Sequence, residues 1–461
     1  MKREKHTFVL SLLLTSSTFL HLGKAQTSLA LRSTSGALTP FHSLSLLLLL
    51  AILASSCRKD ADYTPYPGEN SKLAYNNYTE QFQYLWKVMS TAYVFWDVDT
   101  VDWDAAYGRY LPQFQALDQK YADSGYVRTA ELETLYTGLV GKMRDHHMTF
   151  KVKNLHPASG DASPWVNIRP GLLEVQSRDY YIESRADAQA RMKAFLASIE
   201  GQYSVTEHDS GDAFIPELNT TVWYQYCLFT LADGRKVPYL WSTNAALTPV
   251  MRDMAGSASY QVIDNWLKAI CNTPRNQLAG IILDTRSNGG GYQDDLDYLV
   301  GSFINQRTVI LKTRYKEGPG RLEYSAWCPY YQNPNPRYHR DITAEDIPYV
   351  VLVDINSVSM AEIEPMVIRT VFPTAHIVGE RSYGGTGPLQ LDSEDLNYGA
   401  PFGDANKYNH YVYTSTFEAL MCGSVLEGIG ITPDEEVHRK DDPTHSFKPQ
   451  LDAALNYIQN R

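Results

Sequence analysis

A serine stands three residues ahead of a glutamate where an apolar run gives way to a helical pattern, at Ser359 and Glu362 in "NSVSMAEIEPM". A serine hydroxyl becomes a nucleophile that forms acyl intermediates when a neighbouring base accepts its proton. The same spacing is also the capping box, in which the two side chains satisfy amides at the start of a helix. The motif alone favours the cap, because such boxes are common and nucleophiles are rare.

A glycine-rich turn follows a second apolar run. In "GIILDTRSNGGGYQDD" a short buried strand ends at Asp284, and the turn brings Gly289, Gly290 and Gly291 ahead of a helix. Glycine allows main-chain N–H groups to point into a site and a ligand to approach closely, which an oxyanion hole requires. The stretch does not fit the glycine fingerprints of nucleotide-binding loops. The alternative is a turn that needs glycine only for tight packing.

Two further stretches carry titratable side chains. His146 and His147 follow an amphipathic helix in "GKMRDHHMTF", and since adjacent side chains point in different directions, at most one is expected to face a given pocket. Imidazole titrates in the range that a general base needs, but a histidine at a helix end is more often a surface or capping residue. Glu427 lies between an apolar strand and a turn in "LEGIGITPDEEV". Alone, it indicates only a turn.

The elements around these residues alternate from about residue 258 onward. "AGIILD", "PYVVLVD" and "AHIVGE" have the pattern of buried strands, and helical patterns stand between them. This alternation predicts βαβ units and a mainly parallel sheet covered by helices. The predicted organisation is an N-terminal helical region at 73–155, a β-rich subdomain at 156–250 with an Asp-Gly hairpin in "ADGR", and an α/β core at 251–461.

Residues 1–56 differ from the remainder of the chain. They start with "MKREK", contain two short apolar stretches and end in small residues directly before Cys57. This order is typical of a secretory signal, and the cysteine resembles that of a bacterial lipoprotein signal, in which Cys57 becomes the lipidated N-terminus. The alternative is an ordinary signal peptide cut nearby. Residues 57–72 are polar and are predicted to be a tether, so we expect a lipid-anchored protein of the cell envelope.

The composition excludes some classes of function. Removing residues 1–56 takes away five Lys/Arg and one Glu, which leaves 36 basic against 51 acidic residues and a net charge of −15. This acidic balance disfavours nucleic-acid binding. The cysteines after Cys57 are widely spaced, without a C-x-x-C pair: Cys227, Cys271, Cys328 and Cys422. The spacing of a zinc site is absent, and neither a metal nor a cofactor is expected.

In their order along the chain, these stretches resemble the tail-specific or C-terminal processing peptidase family of serine proteases. That family has a strand ending in D-x-R-x-N-x-G-G, matched by residues 284–291, then a Ser-x-x-Glu helix start, matched by "SVSMAEI", and then V-G-E with a glycine-rich turn, matched by "IVGERSYGGTG". The resemblance covers about residues 75–150 and 258–458. It implies a crotonase-like (Clp-protease-like) α/β core with an N-terminal helical region and a β-rich inserted subdomain.

One departure indicates the branch of this family. Members with a Ser-Lys dyad carry lysine in the turn after V-G-E, where this chain has Gly385. The turn is instead similar to that of the tricorn-core branch, in which a histidine after an N-terminal helix is the base and a glutamate before the last G-x-x-P-D turn completes the site. The matching residues are His147 and Glu427. His146 stands where that branch can place a serine, and the choice between the two histidines stays open.

The resemblance implies a secreted serine peptidase that cuts a peptide or protein substrate through an acyl-enzyme. Ser359 would attack, His147 would accept its proton, Glu427 would orient the base, and the amides of Gly290 and Met360 would hold the oxyanion. Two alternatives belong to other classes: a ligand- or peptide-binding lipoprotein on the same scaffold, and a structural cell-surface lipoprotein with no formed cleft. The sequence favours no oligomeric state.

Overall fold

The computed structural model describes residues 75–389, 402–403 and 409–461 of the chain. The predicted signal, the lipidation site at Cys57 and the tether lie outside these residues and stay predictions. Among the helices of the described residues, none is long and apolar enough to cross a membrane.

The described residues form ten α-helices and fifteen strands. The helices are α1 (Tyr78–Ala92), α2 (Trp103–Ser124), α3 (Thr129–Val140), α4 (Pro170–Gln176), α5 (Arg185–Ala197), α6 (Leu247–Asp253), α7 (Ala258–Asn272), α8 (Leu296–Leu299), α9 (Met360–Val371) and α10 (Lys448–Gln459). The strands are β1 (Thr149–Lys153), β2 (Trp165–Ile168), β3 (Val205–Ile215), β4 (Thr220–Thr230), β5 (Lys236–Ser242), β6 (Ile281–Asp284), β7 (Thr308–Tyr315), β8 (Cys328–Gln332), β9 (Tyr349–Val353), β10 (His376–Gly379), β11 (Phe402–Gly403), β12 (His410–Tyr413), β13 (Phe417–Met421), β14 (Ser424–Val425) and β15 (Glu435–Glu436).

A seven-stranded sheet organises the core, in the order β15-β10-β9-β6-β5-β4-β3. The strands from β15 to β5 are parallel, and β4 and β3 add antiparallel to β5. The predicted mainly parallel sheet is therefore confirmed. The predicted hairpin is also present, because β4 pairs with β5 across Asp233 and Gly234. The strands between residues 205 and 242 thus extend the core sheet.

Two helices, α4 and α5, lie in the segment that the sequence indicated to be β-rich. Helix α5 buries Ala188, Met192 and Leu196, which are spaced four residues apart, and its N-cap Ser184 accepts the amide of Asp187. The apolar face is narrow and charged residues surround it, so the hydrophobic periodicity typical of an amphipathic helix is weak in this sequence. The proposed domain boundaries themselves stay predictions.

The central strands are buried on both faces, which explains their continuous apolar sequences. Alternate side chains of a strand point to opposite faces: Leu283 of β6 packs in the cluster that contains α7 and α9, and Ile282 packs in the cluster that contains α5 and α10. The N-terminal helices α1 to α3 bury a separate aromatic cluster. After α3 the chain passes through His147 into β1, which pairs with β2 and β12.

Candidate active site

Three of the predicted motifs follow three neighbouring parallel strands. The glycine turn follows β6, Ser359 follows β9, and the turn at 380–389 follows β10, and these strands are adjacent in the sheet. Because the carboxyl ends of parallel strands lie at the same edge of a sheet, the three turns meet there. This edge lines a pocket of about 690 Å³ that includes Ser359, Gly290 and both His146 and His147, so the expectation that at most one of the two histidines faces a given pocket is wrong.

Ser359 begins α9 in a backbone conformation that ordinary cap residues do not adopt. Its φ is 64° and its ψ is −125°, whereas the serine caps Ser184 and Ser257 have φ of −63° and −69°. For a residue other than glycine, such a conformation costs on the order of 1–3 kcal/mol and is concentrated at functional sites. The strain at Ser359 therefore favours a role beyond starting the helix.

Glu362 makes structural contacts at the start of α9. Its buried carboxylate accepts the amides of Gly384 and Gly385, each at 2.7 Å, and the amide of Ser359 at 3.3 Å. Burial raises its pKa to about 7, and these hydrogen bonds oppose the rise. Glu362 thus fastens the turn after β10 to the start of α9.

Gly290 lies directly against the candidate nucleophile. Its φ is +77°, and a Cβ at this position would lie 2.5 Å from Ser359 Cβ and 2.9 Å from the amide nitrogen of Met360. Its own N–H donates to Asn288 Oδ1 at 2.8 Å, so the predicted oxyanion donor is occupied by a side chain in this arrangement. Met360 is the first residue of α9, where helix amides have no partner within the helix.

The turn after β10 explains why a histidine can occupy the place of a dyad lysine. A Cβ on Gly385 would lie 3.2 Å from His147 Cε1 and 3.0 Å from a methyl group of Val358. The imidazole therefore fills the space that a side chain at position 385 would need. Glycine at 385 and a histidine at 147 fit together, and a side chain at 385 would require Val358 or His147 to shift.

The two adjacent histidines have different surroundings. His146 is buried, its N–H donates to Glu427 Oε1 at 2.7 Å, and its Nδ1 lies 2.8 Å from the carbonyl oxygen of Tyr383. By contrast, a ring nitrogen of His147 and carboxylate oxygens of Asp145 and Glu427 all lie within 4.8 Å of one another. His146 is held by the backbone, and His147 is the ring that faces the carboxylates.

Burial sets the charge state of His147. Desolvation, followed by the positive charge of Arg185, lowers its pKa to about 4. The imidazole is therefore neutral near pH 7 and able to accept a proton. Both ring nitrogens are buried and have no hydrogen-bond partner among the described residues. The hydrogen bonds from Ser359 to His147 and from His147 to Glu427 are thus not formed in this arrangement, although the three side chains are brought together.

Glu427 ties distant segments together. Its fully buried carboxylate accepts the amides of His146, Thr386 and Gly387. Burial raises its pKa well above the usual value, the nearby charge of Asp145 raises it further, and the backbone donors oppose the rise. The loop that carries His147 is therefore anchored to the turn after β10 by Glu427.

Asp145 is a site residue that the sequence interpretation missed. It is fully buried, accepts the amide of His147 at 2.9 Å, and also accepts the Thr414 hydroxyl at 2.6 Å and the Ser415 amide at 2.7 Å. The only available signal was its place two residues before His147. Asp145 fixes the histidine loop to the chain between β12 and β13.

Asp145, His147 and Glu427 are also the kind of residues that bind metal ions, but their arrangement does not fit one. The carboxylate oxygens already accept buried N–H and O–H groups, and a zinc ion needs ligand atoms about 2.0–2.2 Å away. Binding would require the carboxylates to give up these donors. The expectation of no metal therefore stays our prediction.

Glu427→Gln is expected to destabilise the protein by about 2 kcal/mol and to reduce the reactivity of Ser359. An amide nitrogen cannot accept a hydrogen bond, so the variant leaves at least one buried backbone N–H unsatisfied, at about 1–3 kcal/mol. Urea unfolding measures the change. The matched control is Glu364→Gln: Glu364 is also buried, its Oε1 has no hydrogen-bond partner, and burial raises its pKa well above the usual value. Equal destabilisation of the two variants would contradict the anchoring role of Glu427.

Comparisons with known proteins agree with this fold. Residues 251–437 match the sequence profile of peptidase family S41, which confirms the resemblance to this family of serine peptidases. No curated protein sequence matches the chain significantly. A crystal structure from Parabacteroides merdae ATCC 43184, provisionally named a peptidase, is similar with a TM-score of 0.55 at 20% identity, over 83% of this chain and 97% of that chain. At this identity the similarity shows the fold alone.

Two further solved structures are similar at lower scores. Mature CPAF complexed with lactacystin is 14% identical, over 84% of this chain and 99% of that chain, with a TM-score of 0.49. The photosystem II D1 C-terminal processing protease is 15% identical, over 83% and 97%, with a TM-score of 0.37. The predicted fold class, a crotonase-like (Clp-protease-like) α/β core with an N-terminal helical region and a β-rich subdomain, is confirmed.

Proposed function

We propose that this protein, whose residues 251–437 match the sequence profile of peptidase family S41, is a serine-type endopeptidase that hydrolyses peptide bonds through an acyl-enzyme on Ser359. The observation that carries the proposal is the strained backbone of Ser359 in a pocket shared with His147 and Gly290. Local strain of this kind is retained where it positions a reactive group.

The proposed reaction starts with attack of Ser359 Oγ on the carbonyl carbon of the scissile bond. His147 accepts the hydroxyl proton, and the carbonyl oxygen becomes an oxyanion that the amides of Gly290 and Met360 stabilise. When the tetrahedral intermediate collapses, the C–N bond breaks and His147 gives its proton to the leaving amine. Water, deprotonated by His147, then hydrolyses the ester and restores the serine.

Two local changes would complete the site when substrate binds. Asn288 must release the amide of Gly290, and His147 must form hydrogen bonds to Ser359 and to Glu427. Catalytic hydrogen bonds are often long or unformed without substrate and tighten in the complex. A positive charge on His147 would favour the charged form of a carboxyl group within 4.8 Å, and this carboxylate would then stabilise the imidazolium.

Substrate and location follow from the same proposal. The substrate would be a peptide or protein bound as an extended strand beside the sheet. The basic start, apolar stretches and small residues before Cys57 support export and a lipid anchor, which would hold the peptidase in the cell envelope.

The test is covalent labelling of residues 58–461 with a fluorophosphonate probe, which reacts with activated serines. We expect the wild type to be labelled, and Ser359→Ala and His147→Ala to lose the label while circular dichroism shows both to be folded. Labelling that persists in Ser359→Ala, or a folded wild type that takes no label, would refute the proposal.

A binding protein on the same scaffold is the second candidate. The observation that favours it is the occupied amide of Gly290 together with the unbonded ring of His147. A binder would give a folded, unlabelled wild type whose affinity for peptides does not change in Ser359→Ala.

A further inference from the structure

One cation in the active-site pocket has no counter-ion. Arg185, the first residue of α5, lines the pocket beside the glycine turn, and a Cβ on Gly289 would lie 3.0 Å from Arg185 Nη1. Its Nε is buried without a hydrogen-bond partner, and its guanidinium makes no ion pair with any described residue. The next residue of the turn, Gly290, touches Ser359. The unpaired guanidinium and the candidate nucleophile thus contact successive residues of one turn and line the same pocket.

By contrast, the most deeply buried arginines of the described residues are paired. Their partners are Asp284 for Arg286, Glu183 for Arg439 and Glu345 for Arg340. A buried charge without a partner is costly, and the cost is greater for a cation at the positive end of a helix. Burial lowers the pKa of Arg185, and although the charges of Tyr383 and Asp354 oppose this, the pKa stays below its usual value. These charges of the described fold therefore recover only part of the cost.

A second cation lies nearby. Arg169 lines the same pocket, is exposed, makes no ion pair with any described residue, and is close enough to Arg185 to repel it. The acidic residue of the pocket, Glu217, accepts the hydroxyl of Tyr292 at 3.1 Å. One part of the pocket thus carries two guanidinium groups that have no carboxylate partner among the described residues.

We propose that Arg185, supported by Arg169, binds a carboxylate of the substrate close to the scissile bond. The guanidinium fork matches the two oxygens of a carboxylate, and bound substrate would supply the missing counter-ion. The carboxylate would come from an acidic side chain or from the C-terminus of the substrate. This inference rests on the proposed peptidase function and assigns its specificity.

The test uses pairs of quenched fluorescent peptides cleaved by residues 58–461. In one arm Glu replaces Gln at successive positions, and in the other a free C-terminal carboxylate replaces an amide. We expect one arm to show a preference for the charged member of about tenfold or more in kcat/KM, and the arm that responds identifies the source of the carboxylate. Arg185→Gln should remove the preference and Arg185→Lys should keep part of it, and circular dichroism should show that both variants are folded.

The control is Lys193→Gln, which removes a positive charge from the same helix outside the pocket, where Lys193 stacks on Trp223. It should leave the preference intact. The inference is overturned if the labelled wild type shows no preference in either arm, or if Arg185→Gln slows charged and neutral peptides equally. If the wild type takes no label, the proposed peptidase function is refuted, and the carboxylate site needs a separate test. The affinity of Ser359→Ala for the same peptide pairs, measured by fluorescence anisotropy, then decides the carboxylate site alone.

Discussion

Ser359→Ala, His147→Ala and the double variant are expected to lose peptide hydrolysis to the same extent, on the order of 10⁶-fold in kcat. A nucleophile and its base act as one unit, because the base has no proton to accept once the hydroxyl is gone, and the hydroxyl is a poor nucleophile without the base. The measurement is kcat for a fluorogenic peptide that the wild type cleaves.

The matched control for the serine is Ser257→Ala. Ser257 caps α7 with its side chain accepting the amide of Tyr260, in an ordinary extended conformation. Its replacement should cost about 1 kcal/mol of stability and leave kcat unchanged. If the losses of Ser359→Ala and His147→Ala were independent and multiplied in the double variant, the two residues would not form a nucleophile and base pair. Activity retained in His147→Ala but lost in His146→Ala would assign the base to the other histidine.

Gly290→Ala is expected to reduce kcat by on the order of 10³-fold or more while the protein stays folded. The new methyl group would lie 2.5 Å from Ser359 Cβ and 2.7 Å from the carbonyl oxygen of Val358, so the serine or the glycine turn must move. Loss of a single oxyanion donor already costs about 10²–10³-fold, and displacement of the nucleophile adds to this. Fluorophosphonate labelling rate and kcat both measure the effect.

Gly125→Ala separates this steric effect from backbone strain. Gly125 has the same φ of +77°, at the end of α2, but a Cβ there would meet nothing within 4 Å. This control should lose on the order of 1 kcal/mol of stability and no activity. If Gly290→Ala behaved like Gly125→Ala, the close contact between the glycine turn and Ser359 would have no part in the chemistry.

The hydrophobic patterns were sufficient to predict the core of the fold. Strands β6, β9 and β10 have continuous apolar sequences because both faces of each strand are covered, and this burial also places their carboxyl ends at one edge. Helix α5 was missed because only one narrow side of it is buried. A local pattern likewise cannot show that β5 pairs with β6, more than thirty residues later.

The candidate site, too, was predicted from the sequence only in part. Ser359 and the glycine turn were found from sequence because each lies within a few residues of the strand that positions it. The choice between His146 and His147 needed the carboxylate of Glu427, which accepts the amide of His146 from 281 residues further along the chain. The fit of Gly385 against His147 likewise depends on a contact between distant segments.

What the sequence determined by itself was the alternation of elements and the residue types at the ends of the core strands, because both follow from periodicity and from chemistry within short stretches. Only the tertiary structure decided which side chains share a pocket and which lack a partner. The sequence does not show whether an arginine is paired. That Arg185 has no ion-pair partner among the described residues is known only from the positions of the groups around it. Contacts between distant segments carry this information, and no local pattern records them.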